Sequence, residues 1–289
     1  MSTITGIAEI AERLYHEPAA SDFNRPPIPI RADITRKATP GPRTHATRDV
    51  LSILVDHIGP PTLYGGSAHG PNIRWRTDTQ TLLLDHGVAG LQLSVHRTSD
   101  LERREAAVFQ RGVGDGPGQE PSFSSLPYLW QLYRGGPDAV PTSLPAAPPA
   151  PDWQRLEEAL ASLMHAWLQQ LPTQVDDDAA AFNIVNHADG DRILSVICGA
   201  RDDVTLLIDD QDAPHDRHHQ TMMMRRGWDA PVLGWWQAFY EPTSAASAAR
   251  HVVTELRLRG ARTPHDLGAD QISCADEGLL VLPGLGIRP

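Results

Sequence analysis

The chain has 289 residues, 40% of them hydrophobic, and a net charge of -11. That is enough to bury a sizeable core, and it is too acidic for nucleic acid to be the main partner, because phosphate binding needs a dense cationic footprint. No apolar run reaches the roughly 18 residues that span a bilayer, and Glu9, Glu12 and Arg13 break up the stretch a signal peptide would keep apolar, so a cytoplasmic protein with no membrane partner is expected.

In chain order, Thr5 to Tyr15 reads as a short amphipathic helix with Ile7, Ile10, Ala11 and Leu14 on one face and Pro18 as its stop. Between Asn24 and Arg48 six cations, Lys37 among them, stand against one anion, Asp33, so this proline-rich arm carries +5 and the rest of the chain -16. A basic arm beside an acidic body either folds back on it or reaches an acidic partner; a solvated linker is the plainer alternative. Its RPPIPIR stretch has a PxxP spacing, which suits a polyproline helix or a stiff connector. Thr47 then predicts the cap of a helix whose Val50, Leu51, Leu54, Val55 and Ile58 form a 3.6-residue stripe ended by Gly59-Pro60.

From Asn72 to His96 the period falls to two. Leu91, Leu93 and Val95 alternate with Gln92 and Ser94, which predicts an antiparallel meander with one wet face. Ser99 and Glu102 have capping-box spacing ahead of a helix in LERREAAVFQ. The glycine cluster at 112–118 lacks the offsets of a dinucleotide loop, since neither Gly112 nor Gly114 is followed by glycines at the required positions, and it reads as a loop. Tyr128, Trp130 and Tyr133 return the chain to the core.

Residues 135–151, rich in Pro and without apolar period, predict a domain boundary. Asp152 caps a long helix with Trp153, Leu156, Leu160, Leu163, Met164, Trp167, Leu168 and Leu171 on one broad face. AAFNIVN, DRILSVIC and VTLLIDD follow as three strands, with Asp189-Gly190 signalling a tight hairpin between the first two. Pro214 to Arg226 predicts a helix closed by Gly227, WWQAFY a strand, and Ser244 opens a helix carrying Ala245, Ala248, Ala249, Val252, Val253 and Leu256 inward. Cys198 and Cys274 fall in half-buried strands and suit reduced core thiols.

These elements predict an α+β fold of two tandem units, each an antiparallel sheet covered by helices. The expected boundaries are an N-terminal helix and basic arm at 1–45, a first unit at 46–134, a Pro/Ala-rich linker at 135–151 and a second unit at 152–289.

Several chemistries are excluded by pattern. Lys37 is the only lysine and no glycine-rich loop ends in Gly-Lys, so there is no P-loop; GxSxG, HExxH and CxxC are absent too. No cofactor is expected. On a helix over 214–226, His215 and His219 lie one turn apart and with Asp212 or Asp216 could hold a metal ion for a hydrolase; the plainer reading makes them solvent-facing decoration. Asp202-Asp203 and Asp209-Asp210 lack the alternation of a calcium loop and read as turn residues. The aromatic and sulfur-rich stretch 214–241 offers Trp228, Trp235, Trp236, Met222 and Met223, which either seat a sheet or grip another polypeptide.

The order helix, three strands, short helix ending in RRGWDAP, aromatic strand, then an Ala-rich helix running into TPHDL resembles the Tir-chaperone-like (type III secretion chaperone-like) superfamily, particularly its multi-domain actinobacterial members. Over residues 152–270 the specific motif is a Gly-Trp pair with a following Pro, here Gly227, Trp228 and Pro231. The resemblance implies a non-enzymatic module that binds other polypeptides through a sheet face or helix groove, possible as a homodimer or part of a larger assembly, in the service of secretion or inter-bacterial conflict. The single lysine among 25 cationic residues fits the composition of such a proteome.

Overall fold

The computed structural model describes residues 4–32, 40–87, 90–111, 123–136, 144–175, 179–188, 190–199, 203–209, 216–274 and 278–288. In chain order the first elements are α1 (Ile4–His16), β1 (Ile28–Arg31), α2 (Pro40–Ile58), β2 (Tyr64–Ser67), β3 (Gly70–Arg76), β4 (Gln80–Gly87), β5 (Gly90–Arg97), α3 (Thr98–Gln110) and β6 (Trp130–Tyr133). There follow α4 (Trp153–Gln174), β7 (Ala180–Asn186), β8 (Arg192–Cys198), β9 (Val204–Asp209), α5 (Arg217–Arg225), β10 (Asp229–Val232), β11 (Trp235–Tyr240), α6 (Ala245–Leu258), β12 (Leu267–Cys274) and β13 (Leu279–Val281). The fold is α+β, built as two compact units. The first comprises Met1–Pro148, Gln169–Asp176 and Glu277–Gly284; the second comprises Pro149–Leu168, Asp177–Asp276 and Leu285–Pro289.

The first unit is a seven-stranded antiparallel sheet in the order β1-β5-β4-β3-β2-β6-β13. One face is mainly apolar, with His86 as a buried polar member. Ile73 and Trp75, Leu82 and Leu84, and Leu91, Leu93 and Val95 meet Ile7, Ala11 and Leu14 of α1 and Val50, Leu51 and Leu54 of α2. The opposite face, expected to be wet, is covered by α3. Arg74 and Glu105 are buried there as a bidentate pair at 2.7 and 2.8 Å, with the Arg74 guanidinium 4.7 Å over the Tyr128 ring, and Arg76 meets Glu102 at 2.7 Å. Pairing the buried Arg74 and Arg76 with Glu105 and Glu102 is what lets a helix cover so polar a face.

Several local expectations are corrected. RPPIPIR is no free connector: Ile28 and Pro29 pair with Leu93 and Gln92, so β1 is an edge strand, a position that tolerates Pro. Nor is the arm loose where described, because Arg25 reaches the buried Asp22 at 3.1 Å and Arg43 reaches Gln169 at 2.9 Å. Thr47 lies inside α2, its hydroxyl bonding back to the Arg43 carbonyl at 2.9 Å, since the helix opens earlier, at Pro40. Arg97 takes the N-cap place of α3 without a side-chain bond, and Glu102, expected in a capping box with Ser99, is spent on Arg76. Lys37 and the 112–118 loop lie outside the described residues.

The second unit is a six-stranded antiparallel sheet in the order β10-β11-β9-β8-β7-β12. Asp152 caps α4 as expected, accepting from Arg155 N at 2.8 Å. Phe182, Ile184, Leu194, Val196, Cys198, Val204, Leu206, Ile208, Trp236 and Ala238 form one buried face. The β7–β8 connection is longer than a two-residue hairpin, closing through Asn186 N to Asp191 O at 2.8 Å; Asp189 itself is outside the described residues. The strand expected around Cys274 is β12, whereas β10 and β13 carry no such signal in the sequence. β13 pairs with β6, and the Gln174 amide clamps Gly65 through N and O at 3.0 and 2.8 Å, so both the end of α4 and residues 277–284 belong to the first unit. The stretch 144–150 is tied down likewise, Ala147 N to Pro283 O at 2.8 Å in the first unit and Ala150 N to Gly286 O at 2.7 Å in the second.

Candidate binding face

The segment on which the sequence concentrates its aromatic residues begins with α5. Asp216 caps it by accepting from His218 N at 2.8 Å. Its other end closes as a Schellman motif: Trp228 N bonds Met223 O at 3.2 Å, Gly227 N bonds Met224 O at 3.1 Å, and Gly227 sits at φ +94°, where any side chain is strained. Such a cap calls for an apolar contact between the residue after the glycine and the last inward helical residue, and Trp228 and Met223 are both buried. The Gly-Trp pair is thus explained by helix termination.

A buried charge lies against Trp228. Glu255 of α6, only 1% exposed, accepts from Trp228 Nε1 at 3.2 Å and Arg259 Nε at 3.0 Å and pairs with Arg226. It falls on the inward stripe three residues after Val252, which was the signal available in sequence. His251 packs against Trp228 with ring centroids 4.6 Å apart and planes tilted by 55°, and it meets the Tyr240 hydroxyl; burial holds its pKa below the ordinary histidine value.

The sheet separates the expected binding residues. Trp236 and Met223 are core, with Trp228, and cannot form a surface; each fills the interior because its strand or helix position faces inward. All three helices meet the sheet on that face, α4 through Trp167 on Phe182, α5 through His219 on Trp236 and α6 through His251 on Tyr240. Met222 and Met224 point outward from α5, 39% and 59% exposed. Trp235 belongs to the opposite face, along with Gln237 and Phe239, Thr205, Leu207 and Asp209, and Ser195 and Ile197, as the strand register dictates.

That opposite face is open. Trp235 is half-buried beneath the Arg192 guanidinium, 4.3 Å from its ring, and Arg192 also meets Asp209 at 3.5 Å. Phe239 and Val232 are each 56% exposed. Between the paired Val232 and Trp235 a two-residue turn places Leu233 at φ 53° and Gly234 at φ 85°, and Leu233 is 94% exposed. Asn, Asp or Gly normally occupies the first of these turn positions. Pro231, the last residue of the motif, sits in the edge strand β10, where it removes an N–H from the open rim.

Only His219 and Asp216 of the metal alternative fall within the described residues. His215 and Asp212 lie outside the described residues, His219 packs against Trp236, and among the described residues no group of three or more His, Cys, Asp or Glu is placed to hold an ion. Cys198 and Cys274 are buried and form no disulfide, and burial pushes the Cys198 thiol up, which leaves it unreactive. No described helix is long and apolar enough to cross a membrane. No family model, curated protein or solved structure matches the chain, so the Tir-chaperone-like resemblance stands on the element order and on Gly227, Trp228 and Pro231 alone.

Proposed function

We propose that this chain is a non-enzymatic polypeptide-binding module, a chaperone or adaptor, that docks its partner on the open face of the second sheet at the β10–β11 end. The observation that carries this reading is Leu233. A leucine in the left-handed region costs about 1–2 kcal/mol, and here it makes no compensating burial. Folding gives no reason to keep it, since Asn or Gly fits the same turn without strain. A partner that buries it does.

The surroundings support side-chain recognition. Val232, Trp235 and Phe239 provide apolar area, and Gln237, Thr205 and Asp209 provide polar groups between them, the mixture found in separable interfaces. Pro231 interrupts the donors of the edge strand, which disfavours partners that add a strand and favours those that lie across the face. The sheet-face mode implied by the Tir-chaperone-like resemblance agrees with this, and service to a secretion or conflict system is the finer part of the proposal.

A photo-reactive side chain placed at position 239 in the native host tests it, with a second at Leu258, another exposed apolar position, as control. A discrete cross-linked polypeptide is expected from 239 alone, lost when Leu233→Asn is added. A second copy of this chain as that product would redirect the reading to self-association. The same products from both positions, or none, would refute it.

A further inference from the structure

The first unit carries a cleft of its own, of about 430 Å³, lined by Phe23 beside the turn at 22–24 and by His96, Arg97, Asp100, Arg103 and Arg104 at the start of α3 and the end of β5. That volume is of the size that accepts small molecules. Its walls are built. Phe23 packs on the core and the Arg97 guanidinium lies 4.9 Å over its ring. Arg104 Nη2 lies 3.3 Å from His96 Nδ1, and because a guanidinium only donates, Nδ1 is bare and the ring proton sits on Nε2, which donates to the buried Ser94 hydroxyl at 2.9 Å. Arg104 is thereby held from beneath.

The charge of the lining is unbalanced. Asp100 is engaged by Arg103, and neither Arg97 nor Arg104 has a carboxylate partner among the described residues. Three guanidinium groups against one carboxylate leave two positive charges facing the cleft. His96 registers that field: burial first, then Arg104 and Arg74, lower its pKa to about 4, so at neutral pH it stays uncharged and keeps its bond to Arg104.

We infer that this cleft binds a dianionic phosphate monoester, its phosphoryl oxygens taking N–H bonds from Arg103 and Arg104 and its organic part lying against the Arg97–Phe23 stack. The planar, permanently charged guanidinium is suited to a phosphoryl group, and the charge of a monoester equals the excess in the lining. The site is independent of the polypeptide-binding face proposed for the second unit.

The probe is phenyl phosphate, titrated into the full chain above neutral pH at low salt, with heat and the His96 ring nitrogen shifts as readouts. One saturable site is expected, weakened about tenfold or more by Arg104→Gln and by replacing the ligand with the monoanion phenyl sulfate. Arg250→Gln, on α6, leaves it unchanged. No saturation by tens of millimolar with an unaltered near-ultraviolet spectrum, or equal weakening by Arg250→Gln, overturns the inference. So does sedimentation with phosphatidic-acid vesicles that depends on Arg104 while phenyl phosphate fails to bind, since the phosphoryl group would then belong to a lipid headgroup.

Discussion

The first unit's sheet is helix-covered on both faces; in the second unit α4, α5 and α6 all meet one face, and no described helix of that unit meets the other. Hydrophobicity would have predicted the reverse. The covered second face of the first sheet holds Arg74, Arg76 and Ser94, whereas the bare face of the second holds Trp235, Leu207, Ile197 and Phe239. A helix settles on a polar face when each buried charge meets its opposite, as Arg74 meets Glu105 with side chains 4% and 7% exposed. The second unit's outer face, where Gln237, Thr205 and Asp209 stand between its apolar residues, is the one on which a partner is proposed to dock. The contrast between these two faces is the strongest reason to look for function on the second unit.

The largest effect tests the covered face. Glu105→Ala leaves Arg74 buried and unpaired and is expected to cost roughly 3–5 kcal/mol in urea unfolding, while the double variant Arg74→Met with Glu105→Leu recovers most of it. A loss under about 1 kcal/mol for the single variant would show that α3 does not seal that face. Glu255→Ala in the second unit leaves the Trp228 Nε1 donor unpaired while Arg226 and Arg259, 24% and 27% exposed, still reach water, so a smaller cost of about 1–3 kcal/mol is expected there.

Acid probes the same face more gently. His96 has a folded-state pKa of about 4 against 6.5 in the unfolded chain. The unfolded chain therefore binds the extra proton first, and the stabilisation is complete above about pH 6.5 and lost as pH falls towards 4, about 3 kcal/mol across the window. His96→Gln should flatten that part of the stability profile; an unchanged slope would remove His96 as its source.

The bare face should respond in the opposite sense. Leu233→Asn relieves the left-handed strain and is expected to raise stability by about 1 kcal/mol in thermal or urea unfolding, while abolishing the cross-link at 239. A destabilised variant would mean that Leu233 is buried against something within the chain. Smallest of all, Phe239→Ser should change stability by less than about 0.5 kcal/mol, because a side chain that is 56% exposed has little burial to lose. A cost of several kcal/mol would make Phe239 a core residue and end the comparison.

Much of this was legible in the chain itself. The 3.6-residue stripes of α1, α4 and α6, the alternation in β3–β5 and β7–β9, the Asp152 cap and the glycine stop of α5 are all local, set by side-chain spacing and backbone geometry within a few residues. What local pattern could not hold was partnership across the chain. IPIR became a strand because β5 offered it an edge, and β13 went to the first unit because it pairs with β6; neither fact is written near those residues. The binding residues divide along the same line. The sequence marked 214–241 as aromatic, and only the register of β11 on β9 sorted Trp236 inward and Trp235 and Phe239 outward. Likewise the inward stripe of α6 places Glu255 on the buried side, but only the tertiary structure brings Trp228, Arg226 and Arg259 to it. Periodicity determines which residues share a face, since it is a property of one element; which face is covered, and by what, is decided by burial and charge pairing among elements far apart in sequence.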